Sequence, residues 1–445
     1  MKLAVWSPLP PSPSGIADYV AEQLGPLSRR CDVRVVVEDP AAVAPAAAHG
    51  LPLVRADDPG EADLDLYHLG NSASHAYVYR AALARPGVAV LHDYSLHHLV
   101  LGETVERGDR TGYLDEMRRA HGEAGTFVGR QVARALGGDL LPALFPLNDR
   151  VLDSCLAVVG LTRYVVSRAA VRLRERPVLH LPHHVALPLH PVPSRDEARR
   201  ALGLPAHALI LTAPGLATAS KRLDVALRVA GRLAARHHSL RFVVAGDRDA
   251  RLPLVEWARA AGLGGGLVVT GRLGLDDFVR HLAAADVIVA LRFPTHGEIS
   301  GALVRALGVG RPALVTAGTP SADEFPEGCV IPVTPGVTEE AELEAILSRL
   351  LADEALRETI GRLARAHVTA HHDLASTVAR LASFLEEVRG GKDALVAEVE
   401  RRRASEGSLL GYLRDEVRWA ARDLGLADTP PEIETVLAGL LRGTP

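Results

Sequence analysis

The chain has 445 residues, 48% of them hydrophobic and 23% charged, with a formal net charge of −4. That length exceeds one ordinary core and suits two domains that each bury their own. The charge balance shows no basic bias, which argues against nucleic acid as a partner; peripheral membrane contact stays open.

Short apolar runs ending in Gly, Pro, His or Asp recur along the first half, at 3–7, 33–37, 64–69, 88–93, 156–161 and 178–181. Runs of continuous Val, Leu and Ile followed by a loop read as buried parallel strands. Between them lie helical patterns such as 17–27, where Val20, Leu24 and Leu27 share one face. The pattern then restarts. Strands are predicted at 209–212, 242–245, 267–270, 287–291 and 313–316, separated by helices at 223–235, 276–284 and 301–308. Alternation of this kind implies an α/β, doubly wound sheet, and two sets imply two such sheets.

Pro188, Pro191 and Pro193 mark a linker at 187–195. The expected domains are therefore 1–190 and 191–373, with a helical segment over 374–445 that packs back on the first domain. Within that tail, 398–404 is charged and 408–424 has amphipathic spacing. A helix-rich insertion precedes the run at 156–161. The three cysteines, Cys31, Cys155 and Cys329, show neither metal spacing nor a disulfide framework. The first apolar run is too short for a signal peptide, and no run approaches the roughly 20 residues that span a bilayer. A cytoplasmic protein is expected.

Loops at the predicted strand ends carry the residues with chemistry. Pro294-Thr295-His296-Gly297-Glu298-Ile299-Ser300-Gly301 follows the run at 287–291. Ser300 reads as an N-cap, and the helix end behind it, at Gly301, suits a phosphate. Glu298 is placed to accept hydrogen bonds from sugar hydroxyls. The bland alternative is an ordinary strand-to-helix turn. Pro214-Gly215 leads through Ser220-Lys221-Arg222 into the next helix, and its two cations alternatively read as a solvated helix start. In the first half, Gly15 permits close backbone approach to a ligand, and Asp18 either orients a hydroxyl or favours the helix start. His92 and Asp93 stand at a carboxyl strand end, where open α/β sheets bind ligands. Gly246 and the pair Gly271-Arg272 end two strands of the second half.

Other features read blandly. Asp63-Leu64-Asp65 and Asp247-Arg248-Asp249 imitate metal-binding pairs but lie against a strand and in a loop. His97-His98 and His183-His184 lack zinc spacing with any cysteine. Neither a metal nor a cofactor is expected.

In their order these loops resemble the donor-binding segments of family 4 glycosyltransferases, over roughly residues 1–385. That family has the two-domain GT-B fold, needs no metal, and retains anomeric configuration. The resemblance implies a nucleotide-diphosphate donor, a hexose-type sugar, and a glycan, lipid or small-molecule acceptor. It implies that Glu298 contacts the donor sugar, that Lys221 neutralises the diphosphate, and that Ser300 and Gly301 open the phosphate-binding helix. His92 would lie beside the donor sugar; with Glu298 and Lys221 it forms the expected catalytic set. Gly15, Gly215, Gly246, Gly271 and Arg272 would line the donor site, with Asp18 and Asp93 toward the acceptor.

The chain departs from the family at two places. The family has two glutamates separated by seven residues; anchoring on Gly310-Arg311-Pro312 puts Gly297 and Arg305 there. Counting from Glu298 puts Ala306 second. Either way the ribose glutamate is missing, and Arg305 accepts no hydrogen bond from a hydroxyl. The family's arginine after Gly215 is Leu216 here, with Arg222 as the available substitute. These departures keep open a GT-B protein that binds a nucleotide sugar or a partner without turnover; a GT-B epimerase is a separate alternative. A phosphorylase would need a lysine carrying pyridoxal phosphate, and no convincing site for it exists.

Overall fold

The computed structural model describes residues 1–405 apart from 135, 139 and 190. The stretch 408–424 lies outside the described residues. Two parallel sheets form. The first has seven strands: β1 (Lys2–Trp6), β2 (Asp32–Val37), β3 (Leu53–Arg55), β4 (Leu64–Leu69), β5 (Val88–Leu91), β6 (Ala157–Gly160) and β7 (Val178–His180). The second has six: β8 (Ile210–Pro214), β9 (Arg241–Ala245), β10 (Leu267–Val269), β11 (Val287–Ala290), β12 (Ala313–Thr316) and β13 (Ile331–Val333). Their orders are β3-β2-β1-β4-β5-β6-β7 and β10-β9-β8-β11-β12-β13. This is the GT-B arrangement of two Rossmann-like domains.

Both orders reverse at an interior strand, between β1 and β4 and between β8 and β11. At such a switch point neighbouring crossovers leave to opposite faces, so a crevice opens beyond the carboxyl ends. The two crevices face each other. Helix Gly15–Ser28 starts at one, and helix Gly301–Gly308 at the other.

Two strands are absent from the sequence reading, and both lie at sheet edges. β3 has three residues, none fully buried, so it lacks the apolar run of a central strand. β13 carries Pro332, which an edge strand tolerates because one side of its backbone needs no ladder partner.

Local chemistry sets the element ends. Ser14 caps helix Gly15–Ser28 by accepting from Ile16 N–H at 3.2 Å. After the proline cluster, Ser194 and Glu197 form a reciprocal capping box on helix Arg195–Ala201. Helix Leu374–Gly390 crosses back and packs on helix Gly15–Ser28; Val378, Leu381 and Leu385 share an apolar core with Leu24 and Leu27. Helix Lys392–Ser405 continues over the first domain, where Lys392 Nζ donates to Asp63 O at 2.6 Å and Arg403 to Leu83 O at 2.7 Å. Among the described residues no helix is long and apolar enough to cross a membrane.

Candidate active site

The second domain brings one group of the expected residues together. Gly215 (φ +75°) and Gly246 (φ +151°) follow β8 and β9, and their backbones touch: a Cβ on Gly246 would lie 2.6 Å from the carbonyl carbon of Gly215. Gly215 N–H donates to Ala245 O at 2.8 Å, while Gly246 N–H donates to Thr270 Oγ1 at 3.0 Å. A Cβ on Gly215 would meet Lys221 Nζ at 3.3 Å and Ala302 Cβ at 3.7 Å. Lys221 therefore stands beside the start of helix Gly301–Gly308. Ser300 caps that helix by accepting from Leu303 N–H at 3.2 Å. The amides ahead of Leu303 emerge at the helix end with no partner inside the helix. Burial, with Arg292 close by, lowers Lys221 to about 7. An ammonium, free amides and a helix dipole meeting at one point suit a diphosphate.

Glu298 is buried just before this helix. Its Oε2 accepts from His296 N–H at 2.6 Å and from Thr295 Oγ1 at 3.1 Å. Its Oε1 lies 2.8 Å from Arg292 Nη1. Burial opposes ionisation of Glu298, but Arg292 and the surrounding backbone amides outweigh it, so the carboxyl stays below its ordinary value. Asp93 of the first domain faces it. Burial first, then the charge of Glu298, pushes the Asp93 carboxyl up. Asp93 Oδ2 accepts from Asn71 N–H at 2.8 Å.

His92 lies at the end of β5, next to His68 at the end of β4, with His92 Nε2 3.1 Å from His68 Nδ1. Tyr19 sits among them. Its ring stacks on His184 at 4.0 Å and meets His92 and His183 edge-on at 4.9 and 4.7 Å. Burial keeps these imidazoles neutral: it holds His92 and His183 well below the ordinary value and takes His68 to about 3. A buried aromatic cage without charge offers hydrogen bonds and ring faces, the surface a sugar ring fits.

The remaining expected residues are placed differently. Gly15 opens its helix with nothing near its Cβ position, and Gly271 (φ +70°) is equally open. Arg272 is exposed and acts electrostatically on Asp18, which burial raises and which also feels Arg305 and Glu22. Arg222 is not brought to Lys221. It takes a left-handed turn (φ +54°), and its guanidinium binds Glu339. The cation that acts on both Lys221 and Glu298 is Arg292, which the sequence reading missed; its one signal is its position just after β11.

Both departures from the two-glutamate pattern lie at contacts between the domains. A Cβ on Gly297 (φ +87°) would approach Tyr94 Cβ to 2.5 Å and the Tyr164 ring to 2.9 Å. Here Tyr94 N–H and Ser95 N–H both donate to His296 O, at 2.7 and 3.0 Å. Arg305 is buried and bound to Glu22 of helix Gly15–Ser28. His183-His184, read blandly from sequence, is buried against Tyr19, with His183 beside Gly301 of the second domain.

Comparison with known proteins agrees with this fold. Residues 208–353 match the family described as "Glycosyl transferases group 1". The second domain is thus a glycosyltransferase domain and the chain a transferase. Solved structures with a similar fold include Anabaena Alr3699/HepE in complex with UDP and glucose: TM-score 0.61, 16% identity, covering 87% of this chain and 100% of that one. Sucrose-phosphate synthase from Thermosynechococcus elongatus has TM-score 0.60 at 14% identity, covering 88% and 100%. WaaG, a glycosyltransferase involved in lipopolysaccharide biosynthesis, has TM-score 0.58 at 18% identity, covering 86% and 99%. No curated protein matches the chain by sequence.

Proposed function

We propose that this transferase takes a hexose-type sugar from a nucleotide-diphosphate donor bound between the domains and passes it, with retention, to an acceptor on the first-domain side. The observation that carries this reading is the meeting of Gly215, Lys221 and the capped end of helix Gly301–Gly308 beside the buried Glu298–Arg292 pair. Lys221 and the helix end hold the diphosphate, where negative charge grows as the glycosidic bond breaks. Glu298, held in place by Arg292 and His296, contacts the donor sugar. His92 and Asp93 face it from the other domain, with Asp18 and Gly15 at the rim. The two domains and the 374–405 helices act as one unit, because the last helices tie the second domain back to the first. Three free, buried cysteines fit a reducing cytoplasm.

Thermal shift without added metal tests the donor reading, using UDP, GDP, ADP and dTDP with their common sugars. UDP comes first because the Anabaena structure holds it. Stabilisation by one nucleotide, lost in Lys221→Ala, supports the site; no shift with any of them sinks it. NMR of the product's anomeric proton tests retention.

A further inference from the structure

The end of helix Gly301–Gly308 is flanked from both domains. Lys221 stands on one side. On the other, His183 reaches over from the segment after β7, its Nε2 2.9 Å from where a Cβ on Gly301 would lie. The tautomer of His183 is set by its neighbour: Nδ1 is 2.7 Å from His184 O, and a carbonyl only accepts, so Nδ1 carries the hydrogen. Nε2 is then the free atom, on a side chain that is 8% exposed. The residue is held from every side. Its own carbonyl is 2.7 Å from His372 Nδ1, its ring meets Tyr19 edge-on, and its charged or titratable neighbours include His184, Arg305, His372 and His92.

From this geometry we infer that His183 is a ligand of the donor diphosphate supplied by the first domain, and that it takes up a proton when the diphosphate binds. A neutral Nε2 presents a lone pair toward the phosphate oxygens and repels them. A proton at Nε2 turns that repulsion into a charge-assisted hydrogen bond. The proton comes from solvent on binding and returns to it on release. His183 thus supplies from the opposite domain the second cation that Leu216 does not provide and that Arg222, bound to Glu339, does not bring. The consequence is that the diphosphate site is complete only when the domains are together.

This rests on the diphosphate reading above, and calorimetry separates the two. UDP, GDP, ADP and dTDP, each beside its nucleoside, are titrated at pH 8 in buffers of different ionisation enthalpy. The wild type should take up protons with the diphosphate it accepts and none with the nucleoside. His183→Gln, whose amide donates without titrating, should bind with up to one proton fewer. Gly301→Ala, which places a methyl against Nε2, should weaken the diphosphate at least tenfold and leave the nucleoside unchanged. Equal proton uptake by the wild type and His183→Gln, or Gly301→Ala binding the diphosphate as the wild type does, overturns the assignment. A wild type that binds none of the four removes the donor site itself, and this inference with it.

Discussion

The guanidinium of Arg305 binds the carboxylate of Glu22, joining the helix that starts at the proposed donor site to the first helix of the other domain. The side chains are 8% and 14% exposed. Glu22 Oε2 also lies 3.5 Å from His184 Nε2, and Asp18 sits one turn earlier. Arg305→Glu alone would therefore gather carboxylates instead of restoring a ribose contact. Removing one partner of a buried pair leaves a charge without compensation, so Glu22→Ala should cost about 3 kcal/mol. Glu22→Ala with Arg305→Leu should recover much of that loss, as should the exchange Glu22→Arg with Arg305→Glu. Urea unfolding of the singles and the doubles reads this directly; additive losses would mean the pair carries no coupling.

Lys221 gives the binding step a pH dependence. Burial holds its ammonium near 7, with Arg292 adding to the effect. A bound diphosphate favours the charged form and raises that value. Between the two values, binding takes up a proton, so affinity falls with rising pH by up to about tenfold per unit. The dissociation constant for the accepted nucleoside diphosphate should climb more steeply from pH 7 to 9 than it does below pH 7. Lys221→Ala should bind more weakly at pH 7 and climb less. Fluorescence titration at four pH values checks both curves, and a slope unchanged in the variant would remove Lys221 from the site.

Glycines and cations at strand ends are visible in a single sequence because the βα unit is local: strand, loop and helix cap lie within about a dozen residues of one another. The strand-end positions of Gly215, Lys221, Glu298 and Ser300 are read this way, and so are both sheets apart from the edge strands β3 and β13. Partners of tertiary origin are not visible. Glu22 meets Arg305 across 283 residues, and Glu339 claims Arg222 across 117. No periodicity reports such distances. His183-His184 misleads for a related reason: a search for metal spacing cannot see that Tyr19 stacks on one ring and Gly301 lies under the other. Gly297 reads as a lost glutamate until Tyr94 and Tyr164 are seen to leave no room for any side chain.

The contact between Gly246 and Gly215 predicts a stability effect beside the proposed donor site. A methyl on Gly246 meets the Gly215 backbone at 2.6 Å, and φ of +151° is itself unfavourable for an L side chain. Backbone cannot swing aside as a flexible side chain does. Gly246→Ala should destabilise by about 3 kcal/mol and displace the Gly215 loop from Lys221. Gly271→Ala is the control, since its φ is also positive but nothing lies near its Cβ position; it should cost about 1 kcal/mol. Calorimetric melting separates strain alone from strain plus collision. Equal losses in the two variants would show that the close approach is unimportant.

Glu298 and Asp93 set two buried carboxyls within electrostatic reach of each other across the cleft, and one substitution tests both. Burial raises Asp93, and the negative charge of Glu298 raises it further. Glu298→Gln removes that charge while keeping the shape and the hydrogen bond from His296 N–H. The Asp93 carboxyl should then ionise at lower pH than in the wild type, yet above the ordinary value, because it stays buried. Infrared titration of the protonated carboxyl band, identified by its loss in Asp93→Asn, measures the change. Turnover should fall by about a hundredfold or more, the cost of removing a positioned polar contact from a transition state. Arg292, left without its partner, would still hold its cation in the site. Full turnover in Glu298→Gln would therefore show that the sugar does not depend on this carboxylate, and an unmoved Asp93 would show that the two groups do not face each other.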